Sequence, residues 1–225
     1  MIRLFTIAVI LTFASFRAKA EDDRSLRDSL KVVSEQLAYH PDSIDLRLKK
    51  AAFNLQLKQW SYAKDEYDYV LSRQPDNIAA LYYRAYVNEQ IGRYNFARID
   101  YENLLKQVPG NFEAQLGYAL LNQKDKHYTD AYNQINRLVQ QFPDSAVAYA
   151  ARAGIEMERG MLELAEYDYE EAVKREPSND YLVSLADVRI RLRKYSEARK
   201  VLDGMVKDGT PRAALKELYD RLVAN

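Results

Sequence analysis

Few residues in this chain could carry out chemistry. There are two histidines, His40 and His127, and no cysteine. A general base needs a partner that orients it and a substrate proton in reach. His40 stands against Pro41 and His127 lies between two apolar segments, so both read as solvated turn residues. The lack of thiols excludes a disulfide framework, a Cys-based metal site, a Cys nucleophile and a lipidated Cys. No G-x-S-x-G, H-E-x-x-H, P-loop or G-x-G-x-x-G sequence is present. Carboxylates do occur in pairs around aromatic residues: Glu66 and Asp68, Asp100 and Glu102, Asp168 and Glu170. Such pairs could serve acid-base work or a metal, yet recurrence at one register reads as a solvated outer helix face. The expectation is a protein that is not an enzyme, with no catalytic residue, metal or cofactor.

The elements that must position these residues emerge from internal repetition. Of 225 residues, 48% are hydrophobic and 29% charged, with only 7 Gly and 6 Pro, which excludes disordered and collagen-like chains. The prolines are Pro41, Pro75, Pro109, Pro143, Pro177 and Pro211, each 34 residues from the last. One alanine column runs Ala51, Ala85, Ala119, Ala153, Ala186, and a second runs Ala63, Ala97, Ala131, Ala165, Ala198. Both slip to a spacing of 33 at the last step while the prolines keep 34. One residue is therefore missing between Pro177 and Ala186, and one is added between Ala198 and Pro211.

Each unit reads as two helices. From Ile78 to Ile91 the apolar or small positions Ala80, Leu81, Ala85, Val87 and Ile91 have broadly helical spacing. Gly92 supplies a left-handed residue that ends the helix. A second helix from about Tyr94 to Gln107 buries Ala97, Tyr101, Leu104 and Leu105, and Pro109 closes the unit. Ser43, Asn77, Asn111, Ser145 and Asn179 occupy the slot whose side chain caps the next helix. Small alanines fit where two helices approach closely.

These units resemble tetratricopeptide repeats. The second half of each reads Ala63-x3-Tyr67 with Pro75, Ala97-x3-Tyr101 with Pro109, Ala131-x3-Ile135 with Pro143, and Ala165-x3-Tyr169 with Pro177. An aromatic precedes the second helix as Trp60, Tyr94, Tyr128 and Tyr195, with Leu162 in its place in one unit. Lys58, Lys126 and Arg193 or Lys194 stand where Gly92 and Gly160 end their helices. The resemblance implies an all-α fold, an α-solenoid whose helix-turn-helix units wind as a right-handed superhelix between capping helices. The divisions it implies are a capping half-repeat at 21–43, repeats at 44–77, 78–111, 112–145, 146–179 and 180–210, and a capping helix at 211–225. In the first cap Leu26, Leu30, Val33 and Leu37 form one apolar stripe from about Arg24 to Tyr39. In the last, Pro211 takes the first helical position and Ala214, Leu215, Leu218, Tyr219 and Leu222 share one side.

Residues 1–20 read as an export signal: Arg3, then an apolar run from Leu4 to Phe16, then Ala18-Lys19-Ala20 before a cleavage point. The run is shorter than the ~20 residues a membrane span needs. Removal of Arg3, Arg17 and Lys19 leaves 30 basic and 33 acidic residues, a balance that favours neither nucleic acid nor an anionic membrane. The expectation is an exported protein, periplasmic in a two-membraned bacterium and otherwise secreted, with no integral membrane segment after signal removal.

The resemblance further implies that first helices line a groove that receives a protein or peptide partner. Residues spaced by 4 and 3 off the alanine column would face it: Leu48; Tyr82, Tyr86 and Glu89, with Tyr83 and Gln90 beside them; and Leu116, Leu120 and Gln123, with Lys124 beside them. Amphipathic aromatics of this kind anchor interfaces. The alternative for Tyr82 and Tyr86 is packing against the neighbouring repeat. The column Asn54, Asn88, Asn122, Glu156 reads as interhelical hydrogen bonding rather than peptide binding. Arg189, Arg191, Arg193 and Lys194 read as solvated charge, with an acidic partner segment as the alternative. The function expected is a scaffold for a protein partner in the cell envelope. The alternative is a structural component of an envelope or secretion complex that self-assembles through a solenoid end, giving a homo-oligomer.

Overall fold

The computed structural model describes residues 13–223 of the chain. The described residues are helical, and two compact units divide between Gly110 and Asn111. The first contains α1 (Phe13–Tyr39), α2 (Ile44–Gln56), α3 (Trp60–Arg73), α4 (Ile78–Gln90) and α5 (Tyr94–Gln107). The second contains α6 (Phe112–Lys124), α7 (Tyr128–Gln141), α8 (Ala146–Glu158), α9 (Leu162–Arg175), α10 (Asn179–Arg191), α11 (Tyr195–Lys207), a 3-10 turn at Arg212–Leu215 and α12 (Lys216–Val223). Of the expected export signal, residues 1–12 lie outside the described residues, and α1 runs through the expected cleavage point after Ala20.

Within each unit, successive helices pack in pairs: α2 on α3, α4 on α5, α6 on α7, α8 on α9 and α10 on α11. All ten residues of the two alanine columns are fully buried where the helices meet. Larger side chains fill the space between, Tyr67, Val70, Leu81, Val87, Tyr101 and Leu104 in the first unit and Leu121, Ile135, Leu138, Ile155, Val188 and Leu202 in the second.

The turn inside each pair is built one way throughout. A residue at positive φ follows the first helix of each pair: Lys58 (56°), Gly92 (75°), Lys126 (64°), Gly160 (74°) and Arg193 (60°), and Gly209 (102°) repeats the conformation after α11. The next amide reaches back to the carbonyl five residues earlier, as in Gln59 N to Asn54 O at 2.8 Å and His127 N to Asn122 O at 2.8 Å. This is the Schellman closure, which satisfies carbonyls that a helix end leaves bare. The place of glycine is thus taken by Lys58, Lys126 and Arg193 in the same backbone conformation.

First helices begin on side-chain caps. Ser43, Asn77, Asn111 and Ser145 each accept from the amide three residues on. The last cap differs from the expected Asn179: Ser178 accepts from Tyr181 N at 3.3 Å, and Asn179 is the first helical residue. The residue deleted after Pro177 accounts for this, because it brings the cap one position nearer the proline. A second correction concerns the C-terminal helix. Pro211 is extended at φ −60° and ψ 128°, a 3-10 turn precedes α12, and Ala214 is exposed while Leu215, Tyr219 and Leu222 are buried.

Candidate functional site

The aromatic residues of α4 lie on an ordered bed in the first unit. The buried Tyr67 of α3 and Tyr101 of α5 form its floor. Tyr83 stacks on Tyr67, with centroids 6.0 Å apart and planes at 16°. Tyr82 meets Tyr101 edge-on at 6.2 Å and Tyr83 at 5.3 Å. Tyr86 meets Trp60 edge-on at 6.1 Å. Such offset and edge geometries hold rings without freezing them out of solvent contact. Tyr83 stays 43% exposed and Tyr86 37%, whereas Tyr82 is half-buried. Burial pushes the Tyr101 hydroxyl far up from its ordinary value, and Glu89 adds to the push. Of the other residues expected here, Gln90 is exposed and Leu48, on α2, is half-buried.

In the second unit the expected residues occupy different environments. Leu116 packs into the cluster around Ala119, Ile135, Leu138 and Ile155. Leu120 is 41% exposed and Lys124 is exposed. Gln123 is buried, and its Nε2 donates to Glu158 Oε2 at 2.6 Å.

Only part of the solvated face expected of the carboxylate pairs is present: Glu170 is exposed and Asp68 and Glu102 are half-buried, but one member of each pair is not solvated. Glu66, Asp100 and Asp168 are buried, and each meets a cation from a first helix. Lys50 and Arg47 hold Glu66 at 2.6 and 2.7 Å. Arg84 binds Asp100 through two bonds of 2.9 and 2.6 Å and also reaches Asp68 on α3 at 2.8 Å. Arg152 binds Asp168 at 2.5 and 2.8 Å and Asn136 on α7 at 3.1 Å. A guanidinium suits this position because its rigid fork serves two helices at once. Burial still pushes the Asp100 carboxyl above its ordinary value, against the pull of Arg84. These groups tie helices together inside each unit. The signal was in the sequence: Lys50, Arg84 and Arg152 all directly precede the first alanine column.

The basic cluster is likewise partly spent. Arg189 binds Glu166 at 3.1 Å and Glu170 at 2.5 Å, Lys194 also binds Glu166, and Arg191 binds Asp187 at 3.0 Å. His127 is exposed and lies 3.3 Å from Asp125, as a turn residue would. His40 is an exposed residue just past α1. Among the described residues no group of acids and histidines could hold a metal, and no helix is long and apolar enough to cross a membrane.

Solved structures share this architecture. A tetratricopeptide repeat protein from Parabacteroides merdae superposes with a TM-score of 0.72 at 22% identity, covering 96% of this chain and 86% of that one. The chain has a tetratricopeptide-repeat fold. PilW, described as a widely conserved type IV pilus biogenesis factor, matches at a TM-score of 0.72 and 18% identity over 84% of this chain and 88% of its own. YrrB, a tetratricopeptide-repeat protein with an unusual peptide-binding site, matches at 0.57 and 14% identity over 84% and 97%. No family model matches the chain, and no curated protein matches its sequence.

Proposed function

We propose that the chain is a non-enzymatic scaffold that binds a protein or peptide segment on the face formed by its first helices, with Tyr83 and Tyr86 as anchors. The observation that carries this reading is the aromatic bed of the first unit: two tyrosines remain over a third exposed although three rings, Trp60, Tyr67 and Tyr82, support them. Large rings held in place lose little entropy on binding, which is why such residues dominate interfaces. The tetratricopeptide-repeat fold and the peptide site named for YrrB support the same reading. The repeat divisions given above, and the roles of Leu48, Tyr82, Glu89, Gln90, Leu116, Leu120, Gln123 and Lys124, belong to it, with Gln123 contributing through Glu158. We also place the protein in the cell envelope, on the export-type residues 1–20 and the fold shared with PilW. Partner capture from the source cells tests it. Tyr83→Ala with Tyr86→Ala should lose the partner, and Phe96→Ala with Ile99→Ala, on the exposed side of α5, should keep it. The reverse pattern would move the site to the second helices.

Self-assembly is the second reading, and one observation favours it. In the first unit Val32, Val33 and Phe53, with Arg24, Ser25, Asp28 and Ser29 around them, line an open hollow in which Val32 is 51% exposed. A rise of molecular size with concentration that Val32→Asp abolishes would favour it over the scaffold reading.

A further inference from the structure

Three residues after its alanine, each of the first four repeats places a residue at one register: Asn54, Asn88, Asn122 and Glu156. All four are 2% exposed. Twelve residues later, on the second helix, stand Glu66, Asp100, Gln134 and Asp168. Asn88 Nδ2 donates to Asp100 Oδ2 at 3.3 Å, and Asn122 Nδ2 donates to Gln134 Oε1 at 2.9 Å. In the second and third repeats the first position is thus a donor and the second an acceptor, whereas in the first repeat Asn54 Nδ2 is buried without a hydrogen-bond partner. Glu156 is the one acid in the donor position, and an ionised carboxylate has nothing to donate.

Its surroundings show the same mismatch. From α7, the Tyr132 hydroxyl donates to Glu156 Oε1 at 3.2 Å. From α9, Asp168 shares Arg152 Nε with Glu156, at 2.5 Å from Oδ2 against 4.0 Å from Oε1, and after burial its carboxylate pushes the Glu156 carboxyl up. The Tyr169 hydroxyl lies near Gly154 and is itself pushed up, by burial first and in part by the Glu156 charge. From α8 itself, Arg152 Nε is 4.0 Å from Oε1 but directs Nε and Nη2 at Asp168 and Nη1 at Asn136. Farther out, Arg159 lies over the Tyr132 ring at 4.7 Å, and Asp187 and Arg191 of α10 act on Tyr169. Two buried carboxyl groups therefore face one guanidinium that is already committed to Asp168. Glu156 Oε2 is left buried with no hydrogen-bond partner as an acceptor. A buried polar atom without a partner is costly, and a shared proton removes that cost.

We propose that Glu156 is a buried proton-binding site, protonated on Oε2 and donating that proton to Asp168, so that the packing of α7, α8 and α9 responds to pH. The neutral acid reproduces the contact that Asn88 makes with Asp100 beneath Arg84. When the pH rises the proton leaves to solvent, and the two carboxylates repel within a closed contact. Burial first, and the Asp168 charge second, push the Glu156 carboxyl from 4.5 up to about 7. The folded chain thus holds a proton that the unfolded chain has already released. The stabilisation is full below pH 4.5, falls as pH rises toward about 7, and is absent above it.

The test is a carbon-13 titration of the glutamate carboxyl groups in the full chain, with Glu156 assigned through its own side-chain connectivity. Its midpoint should lie roughly two pH units above those of exposed glutamates. In parallel, the urea midpoint of the parent should fall between pH 5 and pH 8, and Glu156→Gln, which carries a permanent donor, should reduce that fall. A Glu156 signal that titrates together with the exposed glutamates overturns the proposal whatever the variant does. So does a Glu156→Gln protein with the parent's full pH dependence.

Discussion

Arg84 on α4 and Asp100 on α5 are joined by two bonds, Nε to Oδ2 at 2.9 Å and Nη2 to Oδ1 at 2.6 Å, with Asp100 only 1% exposed. Removal of one partner from a buried pair leaves an uncompensated charge, whereas removal of both can be nearly neutral. Arg84→Ala should therefore destabilise the first unit by ~3 kcal/mol or more. Arg84→Met together with Asp100→Leu should recover most of that loss. Urea unfolding of the two variants decides the matter, and equal losses in both would mean that side-chain volume, not the charge pair, holds α4 to α5.

The turn residues offer a gain rather than a loss. Lys58, Lys126 and Arg193 sit at φ 56°, 64° and 60°, where a Cβ crowds the following carbonyl. Glycine is free of that crowding, as Gly92 and Gly160 are at the equivalent turns. Lys58→Gly and Lys126→Gly should each raise stability by up to ~1 kcal/mol, read as a higher urea midpoint. Lower midpoints in both would show that the lysine side chains contribute more than the strain costs.

The displaced cap makes a sharper comparison between neighbours. Ser178 Oγ accepts from Tyr181 N, and Asn179 is already inside α10. Ser178→Ala should cost ~1 kcal/mol, while Asn179→Ala should cost a few tenths at most. The opposite order in thermal unfolding would return the cap to Asn179 and place the deleted residue elsewhere in the 177–186 segment.

Backbone architecture was legible because it rests on residue types with few uses. Pro143 stands past the end of α7, Gly160 turns the chain after α8 and Ala165 lets a neighbour approach, and each acts through steric rules that hold in any context. Side-chain pairing was less legible. Asp100 and Glu102 look alike in sequence, yet only Asp100 turns toward Arg84 from the preceding helix and loses its solvent. Helical periodicity locates a residue on a face, but whether that face meets a cation depends on a residue 16 positions away. The same limit applies to the tyrosines. Tyr82, Tyr83 and Tyr86 share one helix, and only the positions of Trp60, Tyr67 and Tyr101 decide how much of each remains open.

Those ring contacts separate anchors from core. Tyr101 is 2% exposed and Tyr67 1%, so truncation of either opens a cavity that the neighbouring helices cannot close. Tyr101→Ala should cost ~3 kcal/mol or more in unfolding free energy. Tyr86 touches Trp60 by an edge and keeps 37% of its surface, so Tyr86→Ala should cost ~1 kcal/mol, about the worth of one aromatic pair and a little area. Tyr83→Ala should fall between them, because stacking covers one face of Tyr67. Denaturant midpoints of the three variants, measured beside partner capture, give two independent orders. Under the scaffold reading the orders are opposed: Tyr83 and Tyr86 matter most for capture and least for stability. If the three variants rank the same way in both assays, capture is following unfolding, and the tyrosines of α4 are core residues whose exposed edges bind nothing.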